Sequence, residues 1–293
     1  MKFNFKISKR ANFYFFVQNL SEWHFSNRKD YNVLWKKELG QFSSREKHAI
    51  KQFKEIHLRY PFGKMYLGHQ FFLEKDPWKT LDKKILQKDY IELKNAFSLL
   101  EDKFNLLYKR DLSFLKKWRK ALIKKSNNKR FIEKILDSLS ILYKASIIEK
   151  EIDIYLLFSS LKHTGGGANI GSKSITLEIS RYPLKDINHV LGIIWHEIIH
   201  LFFQERYFYP LLLKYFKKNR KKANFINELV AGALFPRGIL GIRLLKNRPI
   251  AQLLSRVTKK QTILIVDLAK EYLDKNKFFD KEFIKRLEVV IKN

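Results

Sequence analysis

The chain has 293 residues, of which 45% are hydrophobic and 15% aromatic, enough to build a buried core and too apolar for a disordered chain. It contains no cysteine, which excludes disulfides and thiolate-ligated metal and fits a cytoplasmic location. Fifty-nine Lys and Arg stand against 29 Asp and Glu, a net charge of +30; this fits non-specific binding to a polyanion, and equally fits lysines solvating helix faces along the whole chain.

Residues 1–80 are rich in aromatics and broken by turn signals at Pro61-Phe62-Gly63 and Asp76-Pro77-Trp78. The aromatic run Phe13 to Val17 is too short for a signal-peptide core. Phe53, Ile56, Leu58 and Tyr60 fit a helix end or a short strand equally well. From Leu81 the apolar residues recur at three- and four-residue steps through Leu107, which predicts a helix. Further helices are expected over Leu112–Lys124 and Phe131–Ser146. Residues 1–150 therefore read as a mostly helical lobe without a catalytic constellation.

The pattern then changes. Residues 152–158 read as a strand and 174–180 alternate with period two; joined by the Gly-rich segment His163 to Gly171, they predict a small antiparallel sheet. Asp186 is placed to cap the helix that follows, which is expected to run to about Tyr207. A short helix is expected from Asn224 to Pro236, and two or three amphipathic helices from Ile250 to Lys292. No stretch reaches 18 uncharged apolar residues, so the chain reads as soluble, with no transmembrane segment. The expected fold class is mostly helical α+β, with a helical lobe (1–150) and a second domain (151–293).

Within the predicted helix stands His196-Glu197-Ile198-Ile199-His200. Histidines four apart lie one turn above each other and can share one metal ion. Glu197 then stands where it can accept a proton from water at that metal. This is H-E-x-x-H, a zinc motif. Catalytic zinc takes three protein ligands and keeps one position open. Glu228 is the strongest candidate for the third, because Asn227-Glu228-Leu229-Val230-Ala231-Gly232 forms an apolar helix that can pack on the first, and a glutamate there needs a partner. Glu205 is five residues beyond His200 and points off the His196–His200 face in a regular helix. His163 and His189 are further candidates.

HEIIH followed by NELVA resembles the gluzincins, the thermolysin- and aminopeptidase-N-like zinc metallopeptidases. The resemblance covers roughly residues 152–236. It implies a zincin-like core, a zinc ion on His196, His200 and Glu228, peptide hydrolysis with Glu197 as general base, and a peptide or protein substrate held along an edge strand at 174–180. The family's downstream tyrosine makes Tyr272 the first candidate to stabilise the oxyanion, with Tyr207, Tyr209, His163 and Arg237 behind it. Two features depart from the family: Gly232 stands where the thermolysin branch has an aspartate, and the aminopeptidase loop G-x-M-E-N is absent. The rival readings are a basic nucleic-acid-binding protein and a catalytically inactive zinc-bound peptide-binding module.

Overall fold

A computed structural model describes residues 1–23, 29–60, 67–159 and 164–292. The turn expected at Pro61-Phe62-Gly63 and the candidate His163 lie outside the described residues. The chain is mostly helical with one small sheet. Strand β1 (Lys2–Lys6) comes first, then helices α1 (Lys9–Ser21), α2 (Lys29–Leu39), α3 (Ser44–Arg59), α4 (Gly68–Leu73), α5 (Pro77–Asp82), α6 (Gln87–Ser126) and α7 (Lys129–Tyr143). Strands β2 (Glu151–Leu157), β3 (Gly165–Asn169) and β4 (Ser174–Glu178) follow. The second half continues with α8 (Ile187–Ile198), a π-helical segment (Ile199–Phe208), α9 (Tyr209–Tyr215), α10 (Arg220–Leu234), α11 (Ile239–Leu245), α12 (Lys259–Asp274) and α13 (Lys281–Lys292).

The sheet corrects the antiparallel expectation. Its order is β1-β2-β4-β3, with β1 parallel to β2 and β2 parallel to β4. Only β3 runs antiparallel, pairing Gly165 with Glu178 and Asn169 with Ser174. The Gly-rich segment is thus itself a strand. It takes the outer position and forms a hairpin with β4 whose turn ends at Lys173, at φ 45°. β4 is therefore internal, and the edge expected at 174–180 belongs to β3.

Several helix expectations also change. Residues 53–59 belong to α3, which a capping box between Ser43 and Glu46 starts, and Tyr60 is its C-cap. From Gln87 onward the two helices expected over 81–124 are one helix, α6, because the buried series Leu100, Phe104, Leu107, Asp111, Leu115, Trp118, Leu122 keeps its period with no Gly or Pro to break it; Leu81 belongs to α5 instead. Asp111 is tolerated inside because Arg110 Nε and Ser180 Oγ donate to its two oxygens at 2.6 and 2.8 Å. Asp186 precedes α8 without capping it through its side chain.

Buried apolar residues from Phe5 to Leu287 form one continuous cluster. The sheet also draws on both sides of the boundary expected at 150. α1 and α6 lie against β1 and β2, while α8 lies against β3 and β4. The segment Arg220–Leu245 has the length and composition of a membrane span, but 72% of its most apolar stretch is buried inside the protein. That is the position of a core helix.

Candidate metal centre

The structure brings His196, His200 and Glu228 together. One ligand atom from each lies within 4.8 Å of the others. The two histidine Nε2 atoms are 3.0 Å apart, and the Glu228 oxygens stand 3.5 Å from His196 Nε2 and 3.4 Å from His200 Nε2. The i, i+4 spacing supplies the first pair, and α10 crossing α8 supplies the third donor. Two imidazoles and a carboxylate converging in this way match a catalytic zinc ligand set. Glu228 is half exposed, although most of its neighbours on α10 are buried. The carboxylate opens into a cavity.

Electrostatics tie the three groups together. Burial alone would lower the pKa of His196, but Glu228 and Glu197 outweigh it and hold the ring at about 9. Partial burial would raise Glu228, but hydrogen bonding and charge from His196 and His200 hold it well below the usual carboxylate range. Each shift is the other's counterpart.

The orientation of His196 comes from a backbone atom. Its Nδ1 lies 3.1 Å from the carbonyl oxygen of Phe235 and donates to it when Nε2 is the free donor atom. That carbonyl comes close because residue 192, one turn earlier on α8, is glycine. A Cβ at Gly192 would lie 2.8 Å from both Cα and Cβ of Pro236. The Glu228 side is held by Gln204, fully buried, whose Nε2 donates to the Asn227 carbonyl at 2.9 Å.

Glu197 lies under β3. A Cβ at Gly166 would stand 3.0 Å from Glu197 Oε1 and 2.6 Å from Ile193 Cγ2, so the outer strand passes directly over the carboxylate because it has no side chain there. The three donors and Glu197 line a cavity of about 830 Å³. One part of its wall is aromatic and comes from the N-terminal half, with Tyr14, Phe15 and Phe72. Another is polar, with Glu205, Tyr209, Arg220, Asn224 and Asn227.

Glu205 corrects the helical geometry expected for it. In a regular α-helix it would point about 140° away from His200. From Ile199 to Phe208 the chain is π-helical, where residues five apart come to lie over one another. Glu205 therefore shares the cavity with His200, and partial burial raises its pKa. His189 stays outside the cluster, two turns upstream, with its ring 6.0 Å from that of Tyr182.

The oxyanion candidates separate clearly. Tyr272 is a correction: it is 3% exposed, with its ring 4.9 Å from that of Phe283 and the Arg286 guanidinium 5.8 Å above it. The packing of α12 on α13 buries it away from the cavity. Tyr207 packs against Phe278, and Arg237 is likewise outside the cavity wall. Tyr209 does line it, donating from its hydroxyl to Asn224 Oδ1 at 2.6 Å. Sequence reasoning missed Gly192, Phe235, Gln204 and the aromatic wall. Only the glycine left any mark in the sequence, as a small residue inside an otherwise bulky apolar helix.

No family model, no curated protein and no solved structure matches this chain.

Proposed function

We propose that the chain is a zinc-dependent metallopeptidase of gluzincin type, with His196, His200 and Glu228 as metal ligands and Glu197 as general base. The observation that carries this reading is the convergence of the three donors within 4.8 Å, with Glu197 beside them beneath the outer strand. When bound, zinc supplies Lewis acidity, which makes water acidic near neutral pH and polarises a carbonyl oxygen.

The chain's own residues do the rest. Glu197 accepts the proton lost as water adds to the scissile carbonyl carbon, then delivers it to the nitrogen as the C–N bond breaks. β3 offers its outer edge to an extended substrate backbone by strand addition. This moves the substrate-binding strand from 174–180 to 165–169. Tyr209 is the donor best placed to approach the oxyanion. The aromatic wall of Tyr14, Phe15 and Phe72 takes an apolar side chain.

The test measures zinc per chain in the parent and in Glu228→Ala after dialysis against a weak chelator, followed by hydrolysis of a mixed peptide library with Glu197→Gln as control. About one zinc in the parent, little in Glu228→Ala, and cleavage that needs Glu197 are expected. A parent that binds no zinc when zinc is added back overturns the reading.

A further inference from the structure

The positive charge of this chain is not evenly answered. Some basic side chains meet carboxylates, as Arg59 meets Asp89, Arg110 meets Glu38 and Arg286 meets Glu271. The end of α6 and the start of α7 differ. Between residues 116 and 134 stand nine Lys and Arg against Glu133 alone, and all nine are exposed. None forms an ion pair among the described residues; Arg119 donates to the Phe5 carbonyl instead. Lysines in the last turn of a helix complement its dipole, but Lys116, Lys117 and Lys120 lie too far before Ser126 for that effect. Lys116, Lys120 and Lys124 share one helical face with Ile123, which is 40% exposed.

Beside this face lies a cavity of about 540 Å³ where α6, α7, α8 and α11 meet. Phe131, Ile187 and Leu244 give it a half-buried apolar wall. Lys124, Lys125 and Lys246, all exposed, line the same cavity, and no Asp or Glu among the described residues does. Unpaired cations next to an accessible apolar wall suit a partner that is anionic and apolar at once. Nucleic acid meets the charge, but its phosphate backbone offers no aliphatic surface to Ile123, Ile187 and Leu244. An acidic lipid supplies both parts, a phosphate for the lysines and an acyl chain for the wall.

We propose that the α6–α7 end of the molecule docks on an anionic lipid bilayer, with Lys124, Lys125 and Lys246 around a lipid phosphate and the cavity wall against an acyl chain. This surface shares no residue with the His196, His200 and Glu228 cluster, so it stands or falls apart from the metallopeptidase reading.

Co-sedimentation of the full chain with sucrose-loaded vesicles at physiological ionic strength tests this. Vesicles of phosphatidylcholine with one-third phosphatidylglycerol should bind about tenfold more tightly than phosphatidylcholine alone. Lys124→Gln/Lys125→Gln/Lys246→Gln should weaken that binding about 100-fold, at about fivefold per lysine. Lys36→Gln/Lys37→Gln/Lys47→Gln removes equal charge around a different cavity and should stay within about threefold of the parent. Ile123→Ser should weaken binding about threefold by removing an apolar contact. Melting temperatures matching that of the parent show that the variants are folded; if Lys246→Gln unfolds the chain, the Lys124→Gln/Lys125→Gln pair carries the test. No preference for acidic vesicles, or equal losses in the two triple variants, overturns the proposal. So does a short DNA duplex that binds more tightly than the vesicles, depends on the same three lysines and ignores Ile123→Ser, because the face would then serve nucleic acid.

Discussion

Gly192 and Pro236 approach more closely than any side chain would permit, with only 2.8 Å between the position of a Cβ at 192 and Cα of Pro236. This contact sets the Phe235 carbonyl against His196 Nδ1. Gly192→Ala must push the 235–236 backbone off α8 and lengthen that bond. Zinc affinity should fall about 10- to 100-fold, as when a group orienting a metal-ligating histidine is lost. Competition with a chromophoric chelator measures it, and an unchanged affinity would show that the carbonyl does not orient the ring.

Gly166 makes a similar demand on the other side of the cavity. Gly166→Ala sets a methyl group against Ile193 and Glu197, so β3 must lift or Glu197 must turn. Because neither change touches a metal ligand, zinc content should stay near that of the parent while kcat/KM falls at least tenfold. A parallel loss of zinc would mean that the strand supports the metal ligands as well.

The His196–Glu228 pair predicts a pH window for protein stripped with a chelator. His196 rises from 6.5 unfolded to about 9 folded, so its contribution is complete below 6.5 and is lost as pH climbs through 9. Glu228 moves down from 4.5, so its contribution is present above 4.5 and is lost as pH falls below it. The melting temperature should therefore hold between about pH 4.5 and 6.5 and decline on both sides. Zinc must displace the imidazolium proton, so its affinity should climb from pH 6.5 towards 9. A melting temperature that is flat through pH 9 would remove the pair from the folded-state balance.

Tyr209→Phe separates a catalytic hydroxyl from a structural one. The hydroxyl bonds Asn224 across two helices, and its removal should cost about 1 kcal/mol of stability. If it also reaches the oxyanion, kcat should fall about 100-fold with KM little changed. Unaltered kcat would assign Tyr209 to helix packing alone.

The cluster of His196, His200 and Glu228 was legible in the sequence because its spacing is local. His196 and His200 are fixed by helical spacing, and Glu228 stood out as a carboxylate in an apolar helix. What failed was non-local or lay in the backbone. The parallel pairing of β2 with β4 was hidden because β3 lies between them in sequence yet outside β4 in space. The Phe235 carbonyl carries no side-chain signature. Glu205 was misplaced because i+5 geometry belongs to the π-helix, and nothing in IHLFFQERYF marks that winding. Tyr272 was chosen by its place downstream, whereas its neighbours Phe279 and Phe283 had already claimed its ring for the core.

The pairing of β1 with β2 bears on how the chain is made. Lys2 meets Glu151, and Lys6 meets Tyr155, so the earlier strand waits through some 150 residues of synthesis before it has a partner. Closing so long a loop is slow, whereas β2, β3 and β4 all lie within residues 151–178. The cavity needs Tyr14 from α1, Gly166 from β3 and Glu228 from α10, so no nascent fragment ending before residue 228 contains a complete ligand set. A growing chain of this protein therefore holds no complete donor cluster until most of it has emerged.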